Sequence, residues 1–173
     1  MNPQLEILFN QLSESKRALE MAIAAASCDA HFATVGEWSI AQVVEHLVSS
    51  ESGTLGYMKK KCSSGWESLE EAGDEHRANS AAINARLESN ERYKAPDVLP
   101  EPTNDIDLQE LFSRWNLLRE EMKLFLAHVP SEHLNKLVFR QPAAGMLNTV
   151  HALKFMDAHL RHHLPQIERI SNS

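Results

Sequence analysis

The run HALKFMDAHLRHHLPQIERI, residues 151–170, decides the fold. Leu153, Met156, Leu160, Leu164 and Ile167 recur at intervals of three and four, the period of a helix that buries one stripe. The helix should start near Asn148 or Thr149 and run to about Ile170, and a stripe that long needs other helices to cover it. The same run carries His159, His162 and His163. On a wheel of about 100° per residue, His163 lies roughly 50–60° from the centre of the stripe, His159 about 95° and His162 about 155°. The wheel therefore sends His162 to water and sets His159 and His163 along the flank of the core. Histidines four apart stand one turn above each other, so both rings can reach one ion. Two ligands do not make a site, because a bound ion needs three or four.

Upstream, the same periodicity marks three more long helices. The first runs from about Pro3 to Ala26, with Leu5, Leu8, Leu12, Leu19 and Ile23 on one face and Pro3 in the first turn, where its missing N–H costs nothing. The second begins inside WSIAQVVEHL, residues 38–47, with Ser39 as N-cap and Ile40, Val43, Val44, Leu47, Val48 and Leu55 as its stripe. It ends near Cys62, before Ser63-Ser64-Gly65. The third starts near Asp107, capped by Asn104 or Asp105, and carries Leu108, Leu111, Phe112, Trp115, Leu118, Met122 and Phe125 as far as Pro130. Between the second and third, a polar segment from Asp74 to Ser89 predicts a further helix on the rim, and Pro96, Pro100 and Pro102 enforce an extended crossover. A short turn at Ser131–Leu134 and the linker FRQPAAGML, residues 139–147, lead into the last helix. The reading is an all-α four-helix bundle, one domain over residues 1–173, with a long connection between the second and third core helices.

Composition narrows the function. Hydrophobic residues make up 43% and charged residues 24% of the chain, the balance of a globular protein. The formal net charge is −7, and the one basic cluster, Lys59–Lys61, reads as a solvated helix end; a nucleic-acid surface would need a basic stripe. No apolar stretch approaches the ~20 residues of a membrane span, and the acidic N-terminus lacks a signal-peptide pattern, so no membrane partner is expected and the cytosol is the expected compartment. Cys28 and Cys62, far apart, form neither a thiolate metal site nor a disulfide framework. There is no phosphate-binding glycine loop, no G-x-S-x-G, no H-E-x-x-H and no Glu-x-x-His; the last absence argues against a ferritin-like di-iron bundle. His31, His76, His128 and His133 fall near helix ends or loops, as solvated or capping side chains do. Trp38 reads as a plug at the bundle end, Trp115 and Phe125 as core, and Glu45 and Asp157 as facing solvent.

His46 is the candidate third ligand. It sits on the polar flank of the second helix with Ser39, Gln42, Ser49, Ser50 and Gly53, neighbours small enough to leave room for a ligand or substrate. Spacing alone does not bring this flank to His159 and His163. The resemblance to a family supplies the link. WSIAQVVEHL, with its W-S start and following histidine, and QPAAGMLNT followed by HLRHHLPQI, with H-x-x-x-H and a glutamine three residues on, resemble the DinB/YfiT-like superfamily of bacterial metal-binding four-helix bundles. The match spans nearly the whole chain in order, although residues 66–104 carry none of it. The resemblance implies one divalent ion on His46, His159 and His163, and imidazole alone does not choose among nickel, zinc, iron and manganese. It further implies an enzyme acting on a small-molecule substrate, either transferring a low-molecular-weight thiol to electrophiles or catalysing hydrolysis. The alternative is a non-catalytic metal-binding or homodimeric stress-response protein.

Overall fold

The computed structural model describes residues 1–26, 38–89 and 100–171. In chain order these form α1 (Pro3–Ala24), α2 (Ile40–Cys62), α3 (Asp74–Glu88), α4 (Leu108–Ala127), a 3-10 turn (Ser131–His133), β1 (Leu137–Gln141), β2 (Gly145–Asn148) and α5 (Thr149–Ser171). Cys28, His31 and Pro96 lie outside the described residues. Helices α1, α2, α4 and α5 are the expected bundle: α1 packs on α5, and α2 on both α4 and α5. The long connection between α2 and α4 holds α3, which lies on α5 and buries only Ser80 and Ile83, as a rim helix should.

The helix starts follow from side-chain chemistry. The Asn2 side chain accepts the Gln4 N–H at 2.9 Å, with Pro3 behind it in the first turn. At α2, the Ser39 hydroxyl accepts the Gln42 N–H while the Gln42 side chain accepts the Ser39 N–H, a reciprocal capping box. The cap of α4 is Asp107, which accepts the Gln109 N–H at 2.8 Å, and not Asn104 or Asp105. Asn104 instead adopts a left-handed φ of 67° and bonds the Ser39 hydroxyl, pinning the end of the crossover to the start of α2. At α5 the Asn148 side chain accepts the His151 N–H at 2.8 Å, and Pro165 is carried inside the helix.

Among the described residues, a β-hairpin is the element that periodicity does not predict. The expected linker pairs β1 with β2 antiparallel, Phe139 opposite Leu147 and Gln141 opposite Gly145, whose φ of 73° makes the turn. Leu137, Val138, Phe139 and Leu147 are all buried, so the hairpin closes one side of the core rather than looping over it. Trp115 lies at the centre with no exposed surface, whereas Phe112 and Phe125 are only partly buried at its margin. Inside the bundle, Glu51 of α2 forms a buried salt bridge with Arg119 of α4, and its carboxylate also accepts the Trp115 indole N–H at 3.0 Å. No described helix is long and apolar enough to cross a membrane.

Candidate metal centre

Two helices deliver the three histidines. His46 lies within the first two turns of α2, fixed by the Ser39–Gln42 cap, and His159 and His163 stand one turn apart on α5. The Nε2 of His159 is 3.1 Å from that of His46 and 3.2 Å from that of His163. One ring nitrogen from each histidine lies within 4.8 Å of the others, and among the described residues no other such set of three metal-binding side chains gathers. His46 and His163 are buried, and His159 is half-buried. Phe155, one turn before His159, stacks on its ring at 5.7 Å, and the Trp38 ring lies 5.0 Å from His46, so the plug residue sits against the cluster itself. Two polar contacts reach the far nitrogens: Gln166 Oε1 at 2.8 Å from His163 Nδ1, and Ser50 Oγ at 3.5 Å from His159 Nδ1.

The electrostatics favour neutral rings. Burial pushes His46 down to about 4 and His163 to about 3, with neighbouring histidines adding repulsion of the protonated forms. His159 is lowered well below its ordinary value, first by burial and then by His163 and His46. A neutral imidazole carries one N–H and one lone pair. The Nε2 of His159 faces two other nitrogens and owns at most one proton, so its own proton can fill at most one of the two contacts. A metal–nitrogen bond of roughly 2.0–2.1 Å fits between nitrogens so spaced. The donor set is three neutral nitrogens, with no carboxylate or thiolate among them. Gly53, two turns beyond His46 on the same face of α2, is exposed, and an added Cβ there would meet nothing within 4 Å.

The other singled-out residues are engaged elsewhere. His162, expected to face water, is half-buried: its Nδ1 donates to the Leu87 carbonyl at 2.8 Å because the end of α3 covers that flank of α5. Glu45 accepts the Thr103 N–H at 2.9 Å, and Asp157 accepts from the Ser15 hydroxyl at 2.6 Å and from Arg161, so both half-buried carboxylates tie segments of the fold together. His76 caps the start of α3 by accepting the Gly73 N–H, His128 bonds the Leu124 carbonyl, and His133 stacks on Trp66. Cys62 is half-buried, and burial raises its thiol to about 11, away from the range of a reactive thiolate. Gln166 and Phe155 are the contacts whose roles the sequence reading missed. Their spacing, three residues after His163 and four before His159, was the available signal.

A four-helix bundle with a rim helix, in which the second and last core helices converge on three neutral imidazoles, defines a class of protein. The family model of the DinB superfamily matches residues 11–167, and the chain belongs to that superfamily. Among solved structures it is similar to YfiT from Bacillus subtilis, described as a probable metal-dependent hydrolase with an unusual four-helix bundle topology. The two align over 99% of this chain and 88% of that one, at a TM-score of 0.59 and 15% identity, which makes the likeness one of fold. No curated protein matches the chain.

Proposed function

We propose that the protein is a metal-dependent enzyme acting on a small molecule, with one divalent ion on His46, His159 and His163 and hydrolysis as its leading activity. The observation that carries this reading is the crowding of Nε2 atoms 3.1 and 3.2 Å apart, where the single proton or lone pair on His159 Nε2 can serve only one of its two contacts. Neutral, water-poor imidazoles are costly to protonate and well suited to a cation. A bound ion with three protein ligands keeps a position open, where it polarises a carbonyl or lowers the pKa of water or a thiol. The chain's own residues do the rest: the rings of Trp38 and Phe155 lie against His46 and His159 and wall the site. Hydrolysis leads over thiol transfer because YfiT, which shares the fold, is described as a probable metal-dependent hydrolase.

The test is a cobalt-substituted sample titrated with cysteine, glutathione and azide, followed by ester, amide and thiol-conjugation screens. Binding at an open position shifts the visible bands, and turnover in one screen separates hydrolysis from thiol transfer. If no ligand perturbs the bands while the ion stays bound, the site is closed and the protein is a metal binder rather than an enzyme.

A further inference from the structure

We propose that Gln166 is a positioning residue that locks His163 as the Nδ1–H tautomer, leaving the Nε2 lone pair aimed into the cluster. The inference deepens the metal-site reading and rests on it for its consequence, but the tautomer is a property of the protein alone. Gln166 Oε1 is 2.8 Å from His163 Nδ1. An amide oxygen only accepts, so the nitrogen opposite it must carry the proton, and Nε2 of a neutral ring is then bare. That bare Nε2 is the atom 3.2 Å from His159. On the other flank, His162 packs edge-on to His163 at 5.2 Å between ring centres, itself held by the Leu87 carbonyl, so the His163 ring is gripped from two sides.

His159 lacks such a lock. Its Nδ1 faces the Ser50 hydroxyl at 3.5 Å, and a hydroxyl donates or accepts equally well. Gln166 is thus the contact that gives the cluster a fixed direction of lone pairs before any cation arrives. Without it, the buried Nδ1–H of His163 loses its acceptor, and the ring gains by moving its proton to Nε2, toward His159. That proton would block the ligand position. Partners of this kind are worth about 10–100-fold in metal affinity.

The experiment compares wild type, Gln166→Leu and Gln166→Glu. Long-range proton–nitrogen NMR of the metal-free proteins reads the His163 tautomer, and chelator competition with cobalt reads affinity. Wild type and Gln166→Glu, whose carboxylate also accepts, should show Nδ1–H. Gln166→Leu should lose that signature and bind cobalt about 10–100-fold more weakly. If the leucine variant does not fold by circular dichroism, Gln166→Asn, whose amide is one methylene too short, takes its place. A wild-type His163 protonated on Nε2 overturns the proposal, as does a leucine variant with unchanged tautomer and affinity within twofold of wild type. Should wild type take up no cobalt, the metal reading fails while the NMR spectra still decide the role of Gln166.

Discussion

Helix α2 carries two buried polar clusters five residues apart, and they are built on opposite principles. At Glu51, acceptors meet donors: the carboxylate takes two bonds from Arg119, at 2.8 and 2.7 Å, and one from Trp115. At His46, ring nitrogens meet ring nitrogens, and the one proton or lone pair on His159 Nε2 serves only one of its two contacts. The first cluster satisfies the Glu51 carboxylate and joins α2 to α4, although Arg119 Nη1 is buried without a partner. The second, joining α2 to α5, gathers three imidazoles that could hold a cation. Around Glu51 the donors complement the acceptor, whereas around His159 like nitrogens face like nitrogens, and that difference in kind separates the Glu51 brace from the histidine cluster.

The largest expected effect falls on the brace. Glu51→Ala leaves the buried Arg119 charge and the Trp115 N–H without an acceptor, a loss of about 3–5 kcal/mol. Thermal melts should show a fall of roughly 10 °C or more, and a double variant with Leu at 51 and Met at 119 should regain most of it, since removing both charges removes the unpaired one. A single variant that melts like wild type would erase the contrast between the clusters.

Next in size is a pH effect confined to the histidines. Unfolded imidazoles take protons near pH 6.5, whereas burial holds His46 to about 4 and His163 to about 3, with His159 lowered in the same direction. Falling pH therefore loads protons onto the unfolded chain before the folded one, so the stability is fully present above about pH 6.5 and is lost toward pH 4 and below. The melting temperature of chelator-treated protein should drop by on the order of 5 °C between pH 6.5 and 5, above the range where ordinary carboxylates titrate. His163→Gln should remove about a third of that slope, one of three comparable contributions; a slope unchanged by the substitution would mean that other groups carry it.

The smallest effect concerns the helices themselves. Their shared core of fully buried leucines, with Trp115 at its centre, owes nothing to an ion. Circular dichroism before and after chelation should agree closely at 25 °C, since a domain of this size buries enough apolar surface to fold without a metal. Collapse on chelation would move the histidine cluster into the same category as the brace.

Much of this was legible in the sequence because amphipathic helices advertise their period. The stripe of α5 and the Ser39 cap of α2 place His159, His163 and His46 on their elements without any structure. The meeting of α2 with α5 was not legible, since periodicity fixes the face of a helix and not its neighbour; the family resemblance supplied it. The same limit explains His162, which a wheel sends outward but α3 covers. The hairpin was hidden by strands of five and four residues around a proline, too short to show a period. The brace did leave a trace: Glu51 sits between Leu47 and Leu55, and Arg119 between Trp115 and Met122, charges on apolar stripes that called for each other.

The proposed ligand set, His46, His159 and His163, is chosen by geometry. Metal analysis of protein purified without a histidine tag, alongside His159→Ala, His163→Ala and His162→Ala, tests it most directly. About one divalent ion per chain is expected in wild type and in His162→Ala, with loss of the ion in the other two, because an ion held by three ligands does not survive the removal of one. Equal loss in the His162 variant would contradict the ligand assignment, and an ion-free wild type that stays ion-free after incubation with zinc, nickel, iron and manganese would contradict the site.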